Sequence, residues 1–242
     1  MRYRGRTFSE EEIEIIKTII KEAPEPKLRS PISREICRRF NWKKPDGGLK
    51  DMAARVALLQ MEKDGLFVLP QARRSPNSYK QKFTELILPD LEPIEGSLRD
   101  LDLEIYLVPK TEGPLWNAYI HRYHYLGYTK AGGAQLRYFV KSKGRFVAFF
   151  SFSAAAWKVK PRDEFIGWSQ QQREQNLHLV INNSRFLILP SVKVSHLASH
   201  LLSQMARRLP ADWMRSYNYK PILLETFVQK NKFQGTSYKA AN

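Results

Sequence analysis

Cysteine is almost absent from this chain: Cys37 stands alone in 242 residues. A single thiol excludes an internal disulfide and any multi-cysteine zinc site, and it fits a reducing cytoplasm. No apolar run approaches the roughly 18–20 residues of a membrane span, so no membrane partner is expected. The first residues, MRYRGRTFSEEE, carry charge with no apolar segment behind it and do not read as a secretory signal. The scarcest feature of the second half is negative charge. Residues 113–162 hold nine Lys or Arg and no Asp or Glu.

The net charge of +16 is therefore uneven. Residues 1–82 carry 19 basic and 11 acidic side chains, residues 83–112 carry 2 and 8, and residues 113–242 carry 19 and 5. A basic surface interleaved with aromatics is the footprint of a polyanion binder, so duplex or single-stranded DNA is the expected partner. The plain alternative is a soluble basic protein with no specific partner.

Residues 8–70 predict three helices and a strand. Ser9 followed by Glu12 is a capping-box pattern, and Ile13, Ile16 and Ile20 then recur on one face. Pro24 and Pro26 end that helix. A second helix is predicted over residues 33–40. A third is predicted over residues 49–64, with Leu49, Met52, Ala53, Val56 and Leu59 in register and Gly65 at a left-handed cap. LFVLP at 66–70 predicts a strand, and the basic run at 73–82 a wing or linker. Helix, helix, turn, helix, strand is the order of a winged helix-turn-helix. In that reading Lys43, Lys44, Lys50 and Arg55 lie near the start of the recognition helix, while Arg34, Arg38 and Arg39 touch phosphates. A small helical domain that binds protein has the same pattern.

Residues 83–101 read as an acidic linker, either docked on a basic face of the chain or solvated. Beyond it, five polar words are set into apolar strands: HRYHYLG (121–127), PRDEFIGWS (161–169), NNSRFLILP (182–190), PILLETFV (221–228) and GTSYKAAN (235–242). The element order is strand, helix, hairpin turning near Gly144, charged helical insertion at 162–176, strand, amphipathic helix at 194–209, short helix at 212–217, strand. The expected fold class is α+β: a winged-helix-like module over 1–82 and a mixed α/β domain over 102–242.

The five words, in this order, resemble the Druantia anti-phage protein A family, whose relatives are also found around mobile elements. The resemblance covers nearly the whole chain and implies a role in anti-phage defence, alongside a helicase or nuclease of the same system. The family pattern continues past Ala-Ala-Asn with a tryptophan and a Gly/Arg-rich tail, which implies a chain cut short at Asn242. The element order also resembles the GNAT acetyltransferase fold. That resemblance puts a pyrophosphate loop at Lys193–Ala198, but His196 stands where the loop needs glycine for close backbone approach, so coenzyme A is not expected.

Three chemistries compete for the polar words. His124, Asp163 and Glu225 are acid/base or hard-ligand types. Asp163 and Glu225 as a metal pair would call for Mg²⁺ or Mn²⁺ and phosphodiester chemistry. Against this, Glu225 can serve as an ion pair with Arg185 or Lys239, and Asp163 as a helix N-cap. Second, Ser169, Ser184 or Tyr238 could act as a nucleophile with His124 as base, or Tyr123 or Tyr125 in the manner of recombination enzymes. Third is binding without chemistry, as an adaptor: Tyr123, Tyr125, Trp157, Trp168 and Phe227 stack bases, and Arg122, Arg137, Lys158, Arg162, Arg173 and Arg185 neutralise phosphates. His196 and His200 read as a helix-surface pair.

Overall fold

Ser9 caps the first helix as its spacing predicts. In a computed structural model that describes residues 1–73, 86–229 and 231–241, Ser9 Oγ accepts from the Glu12 amide at 3.1 Å. The Glu12 carboxylate in turn accepts from the Ser9 amide at 3.3 Å. Helix α1 then runs Glu10–Glu22 and buries Ile13, Ile16 and Ile20. The chain divides into two compact units, Met1–Lys82 and Phe83–Asn242.

In the first unit, α2 spans Arg29–Arg39. It starts four residues earlier than the sequence predicts, because Pro31 falls in the first turn, where its missing N–H has no intrahelical partner to lose. Helix α3 spans Asp51–Lys63 and buries Ala54, Ala57, Leu58 and Met61. The predicted face is only partly turned inward: Leu49 and Ala53 pack against the core, while Met52 is 62% and Leu59 44% exposed. Alanines on the inner face let α3 approach α2 closely, and that packing outweighs the side-chain size that the sequence pattern weighs. Residues 66–70 are not a strand. Leu69 is buried and its amide donates to Glu62 Oε1 at 2.7 Å, so the segment folds back on α3 as a loop. The β-structure here is a short hairpin at the other end, β1 (Arg2–Tyr3) with β2 (Arg6–Thr7). It is tied to the end of α3 by the Tyr3 hydroxyl, which donates to Asp64 at 2.7 Å. No wing strand follows α3 among the described residues, and residues 74–82 of the basic run lie outside them.

The second unit is built on a five-stranded sheet. Its strands are β4 (Leu103–Leu107), β5 (Gln135–Ser142), β6 (Arg145–Ala154), β7 (Val180–Ile188) and β9 (Leu223–Glu225), in the order β4-β5-β6-β7-β9. All pairs are antiparallel except β7 with β9. The chain is α+β. The β5–β6 turn is Lys143-Gly144, both at positive φ (49° and 77°), the twist a two-residue hairpin needs. Strand β6 is buried from Val147 to Ser153, on both faces, as the central position in the sheet requires. Helix α4 (Gly113–Tyr123) covers the face of Phe149, where Tyr119 stacks at 4.7 Å. Helix α7 (Leu197–Tyr217) covers the opposite face and reaches Tyr138 through Asp212.

The helix predicted at 194–209 and the short one at 212–217 are one element. Leu197, Leu201, Met205 and Leu209 are buried as their spacing predicts, and Asp212 and Trp213 continue the buried stripe past Pro210. Packing of that last turn offsets the backbone bond that the proline cannot make.

The acidic stretch is no free linker. Leu88 and Ile94 lie in the core of the second unit, and β3 (Ile94–Gly96) pairs in parallel with β8 (Val192–Val194). Its docking is apolar. Exposed pairs such as Glu92 with Arg145 at 3.4 Å add little.

Strand β5 outruns β4, and Tyr217 takes over at the overhang. Its hydroxyl accepts from the Gln135 amide at 2.7 Å and donates to the Gln135 carbonyl at 2.8 Å. Tyr217→Phe removes both bonds and is expected to cost about 1–2 kcal/mol in urea denaturation. A change under a few tenths would mean that water replaces the hydroxyl without loss.

Candidate functional site

Asp163 and Glu225 do come together, though not as a ligand pair. Asp163 sits in α5 (Lys160–Ile166), inside the helix rather than at its N-cap, which is Val159. Glu225 ends β9. Between them lies the buried Arg162 guanidinium. It meets Asp163 Oδ1 at 2.9 Å and Glu225 Oε1 at 3.4 Å. Arg173, from α6 (Gln170–Asn176), holds the other Asp163 oxygen at 3.2 Å. The partner of Glu225 is thus Arg162, not Arg185 or Lys239.

The two carboxyls respond in opposite directions. Burial alone would raise Asp163, but Arg162 and Arg173 outweigh it and hold the carboxyl below its usual range. Burial raises Glu225, the more distant Arg162 only partly opposes this, and the Asp163 charge adds to it. A divalent cation here would have to displace guanidinium groups that already fill the space between the carboxylates. Among the described residues no group of three or more His, Cys, Asp or Glu is placed to hold a metal ion. The donor set therefore does not fit Mg²⁺ or Mn²⁺, and Arg162 and Arg173 are committed to the carboxylates rather than free for phosphate.

The polar words meet elsewhere, in a cleft of about 300 Å³. Four of the five contribute. From the end of α4 come His124 and Tyr125, from β7 come Asn183 and Ser184, beyond β9 comes Phe227, and from α8 (Thr236–Ala241) comes Tyr238. The Tyr238 hydroxyl donates to Asn183 Oδ1 at 2.6 Å. The Asn183 amide group donates to the Ser151 and Arg185 carbonyls, both at 3.2 Å, which fixes its orientation. His124 Nδ1 accepts from the Leu126 amide at 3.2 Å, so the proton of the neutral ring sits on Nε2. Burial, helped by the Arg185 charge, brings the His124 pKa down to about 4. Arg185 spends its guanidinium on the Gly127 and Ser184 carbonyls and on Thr129, bracing the loop after α4.

The family profile of Druantia protein DruA matches residues 58–242. The chain belongs to the DruA family. DruA family membership makes it a component of the Druantia anti-phage defence system. Searches among curated proteins and among solved structures gave no match. The DruA match takes in all five polar words and hence the whole cleft.

The remaining predicted residues are scattered. In the first unit of this DruA chain, Arg38 pairs with Glu35, Lys44 with Asp46 and Arg55 with Asp51, at 2.7–2.9 Å. Arg39, Lys43 and Lys50 carry no ion pair among the described residues. Arg122 lies over Tyr123 at 5.4 Å. Arg137 is bound to Asn117 at 2.8 Å and packs over Trp116, in space that Gly113 leaves by lacking a Cβ. Ser169 caps α6 and Ser184 bonds to Ser151. Lys193 and Val194 lie in β8, and His196 takes φ +62°, a glycine conformation with a side chain still attached.

Sequence reasoning missed Asn183, Thr226 and Phe233. Asn183 and Thr226 lie inside quoted words and were hidden by their more reactive neighbours. Phe233 stands between two words and carries no signal in the sequence.

Proposed function

We propose that this chain is a DNA-engaging component of the Druantia defence system, and that the cleft between β7, α8 and the end of α4 is its contact in the second unit. The observation that carries this reading is the convergence of four distant polar words on one cleft. Among the described residues no Asp or Glu lines that cleft, in a half of the chain with 19 basic and 5 acidic residues. Arg39, Lys43 and Lys50 give the first unit phosphate contacts of its own, as a helical DNA-binding module would. Metal-dependent phosphodiester chemistry at Asp163 and Glu225 is less well supported, because Arg162 already satisfies both. An acyltransferase reading has the element order behind it, but His196 and the pairing of β8 argue against a coenzyme A loop. The chemistry of defence then belongs to a helicase or nuclease partner.

End-labelled duplex and single-stranded DNA with Mg²⁺, Mn²⁺ or EDTA, run on native and denaturing gels, test this. The expected result is a shift of intact DNA that weakens steeply with salt and is unchanged in Glu225→Gln. No shift at low salt would overturn the reading. Metal-dependent cleavage lost in Glu225→Gln would restore the nuclease one.

A further inference from the structure

The cleft has a chemistry more particular than charge. Its floor is polar, and the Arg185 guanidinium that borders it is turned onto the Gly127 and Ser184 carbonyls and Thr129. His124 is a neutral ring with its proton on Nε2, Tyr238 is a phenol that burial keeps protonated, and Asn183 is an amide locked by its own bonds. After those bonds, two functions are left over. His124 Nε2 is a donor. Asn183 Oδ1 keeps one acceptor site beside the bond from Tyr238, whose own oxygen is already engaged by Thr226. The floor therefore offers donor and acceptor together. Such a surface suits the edge of a flat heterocycle.

The walls are aromatic and open. Phe227 is 55% exposed and Phe233 48%, and both line the cleft. Tyr125 stacks on His124 at 4.8 Å and touches Phe233 at 5.2 Å, so the three rings form a continuous shelf. Lys232 lies over Tyr125 at 5.2 Å, at the rim, where a strand's phosphates would run. The volume, about 300 Å³, is at the lower end of small-molecule sites. That is room for one nucleotide unit.

We propose that the cleft takes a single unpaired nucleobase of a DNA strand, stacked against the aromatic walls of Phe227 and Phe233 with its edge against His124 and Asn183. This rests on the DNA reading above and narrows it. Duplex DNA would present such a base only where it is melted, mismatched or extruded.

The test uses the full chain and two oligonucleotides of equal length and charge, one with bases and one with an abasic sugar at every position. Affinity is measured by fluorescence anisotropy at one fixed salt concentration. The base-bearing strand is expected to bind at least about tenfold more tightly, since stacking contributes roughly 1–3 kcal/mol per base. Phe227→Ala and Phe233→Ala, both at exposed positions that leave the core intact, are expected to remove most of that difference while the abasic strand binds as before. Equal binding of the two strands by the wild-type chain, still salt-sensitive, overturns the base site and leaves the DNA reading standing. A preference for the base-bearing strand that survives both substitutions also overturns the site. Binding of neither strand overturns both readings.

Discussion

Asp212→Ala is expected to lower the stability of the second unit by about 3 kcal/mol, the cost of breaking a buried charged network at its centre. Asp212 is fully buried on α7. It accepts from the Tyr138 hydroxyl at 3.0 Å and from Arg208 Nε at 2.8 Å, and it also pairs with Arg215. Burial by itself would raise its pKa, but the bonds from Arg208 and Tyr138 outweigh it and keep the carboxyl below its usual range. Alanine leaves the Tyr138 hydroxyl sealed against the sheet with no acceptor. The two arginines matter less, because their side chains reach water. Asp212→Asn, which keeps an acceptor in place, is expected to cost about half as much. Urea denaturation followed by tryptophan fluorescence reads both. A loss below about 1 kcal/mol in the alanine variant would mean that the hydroxyl finds another partner.

Acidification from pH 6.5 to pH 4 is expected to remove about 2 kcal/mol of stability through His124 alone. In the unfolded chain this histidine takes up a proton near its ordinary value of 6.5, whereas burial brings it down to about 4 in the folded one. Between those values the unfolded state binds more protons, so stability falls as pH falls. Below about 4 the folded state binds the proton too, and this contribution levels off. Glu225, whose carboxyl burial raises, works in the opposite sense, gaining stability as pH falls towards its ordinary range. Asp163 and Asp212, both held low, add their own losses only at lower pH. Melting temperature measured across this range for the wild-type chain and His124→Gln separates the terms. The variant is expected to show a flatter profile between pH 6.5 and 4, and parallel profiles would remove His124 as the cause.

Local chemistry was the legible part of this chain. Ser9 and Glu12 announce a helix start because the capping box is closed within four residues, and Gly144 announces a hairpin because a tight turn needs positive φ. The buried stripe of Leu197, Leu201, Met205 and Leu209 could be read from spacing alone. What failed depends on partners distant in sequence. Which face of α3 turns inward is set by α2, and the leucines among the acidic residues 86–101 are given their role by the sheet. The candidate site shows the same division. His124, Tyr238 and Phe227 stood out as residue types, and the words holding them were correctly grouped. That Asp163 and Glu225 would converge on Arg162 could not be read, since Arg162 is adjacent to one and 63 positions from the other. Phe233 has no periodic or motif context at all and is found only by where the chain returns.

The span of the cleft also sets when it comes into being. His124 and Tyr238 are separated by roughly 110 residues, about ten seconds of synthesis at common elongation rates. The strands β4 to β6 and the helix α4 can be in place well before the wall that Phe227, Phe233 and Tyr238 supply. A chain still leaving the ribosome therefore has a sheet but no cleft, and the cleft is complete only after the segment carrying Tyr238 has folded back. Whatever the cleft binds, it can bind only once that segment has been made.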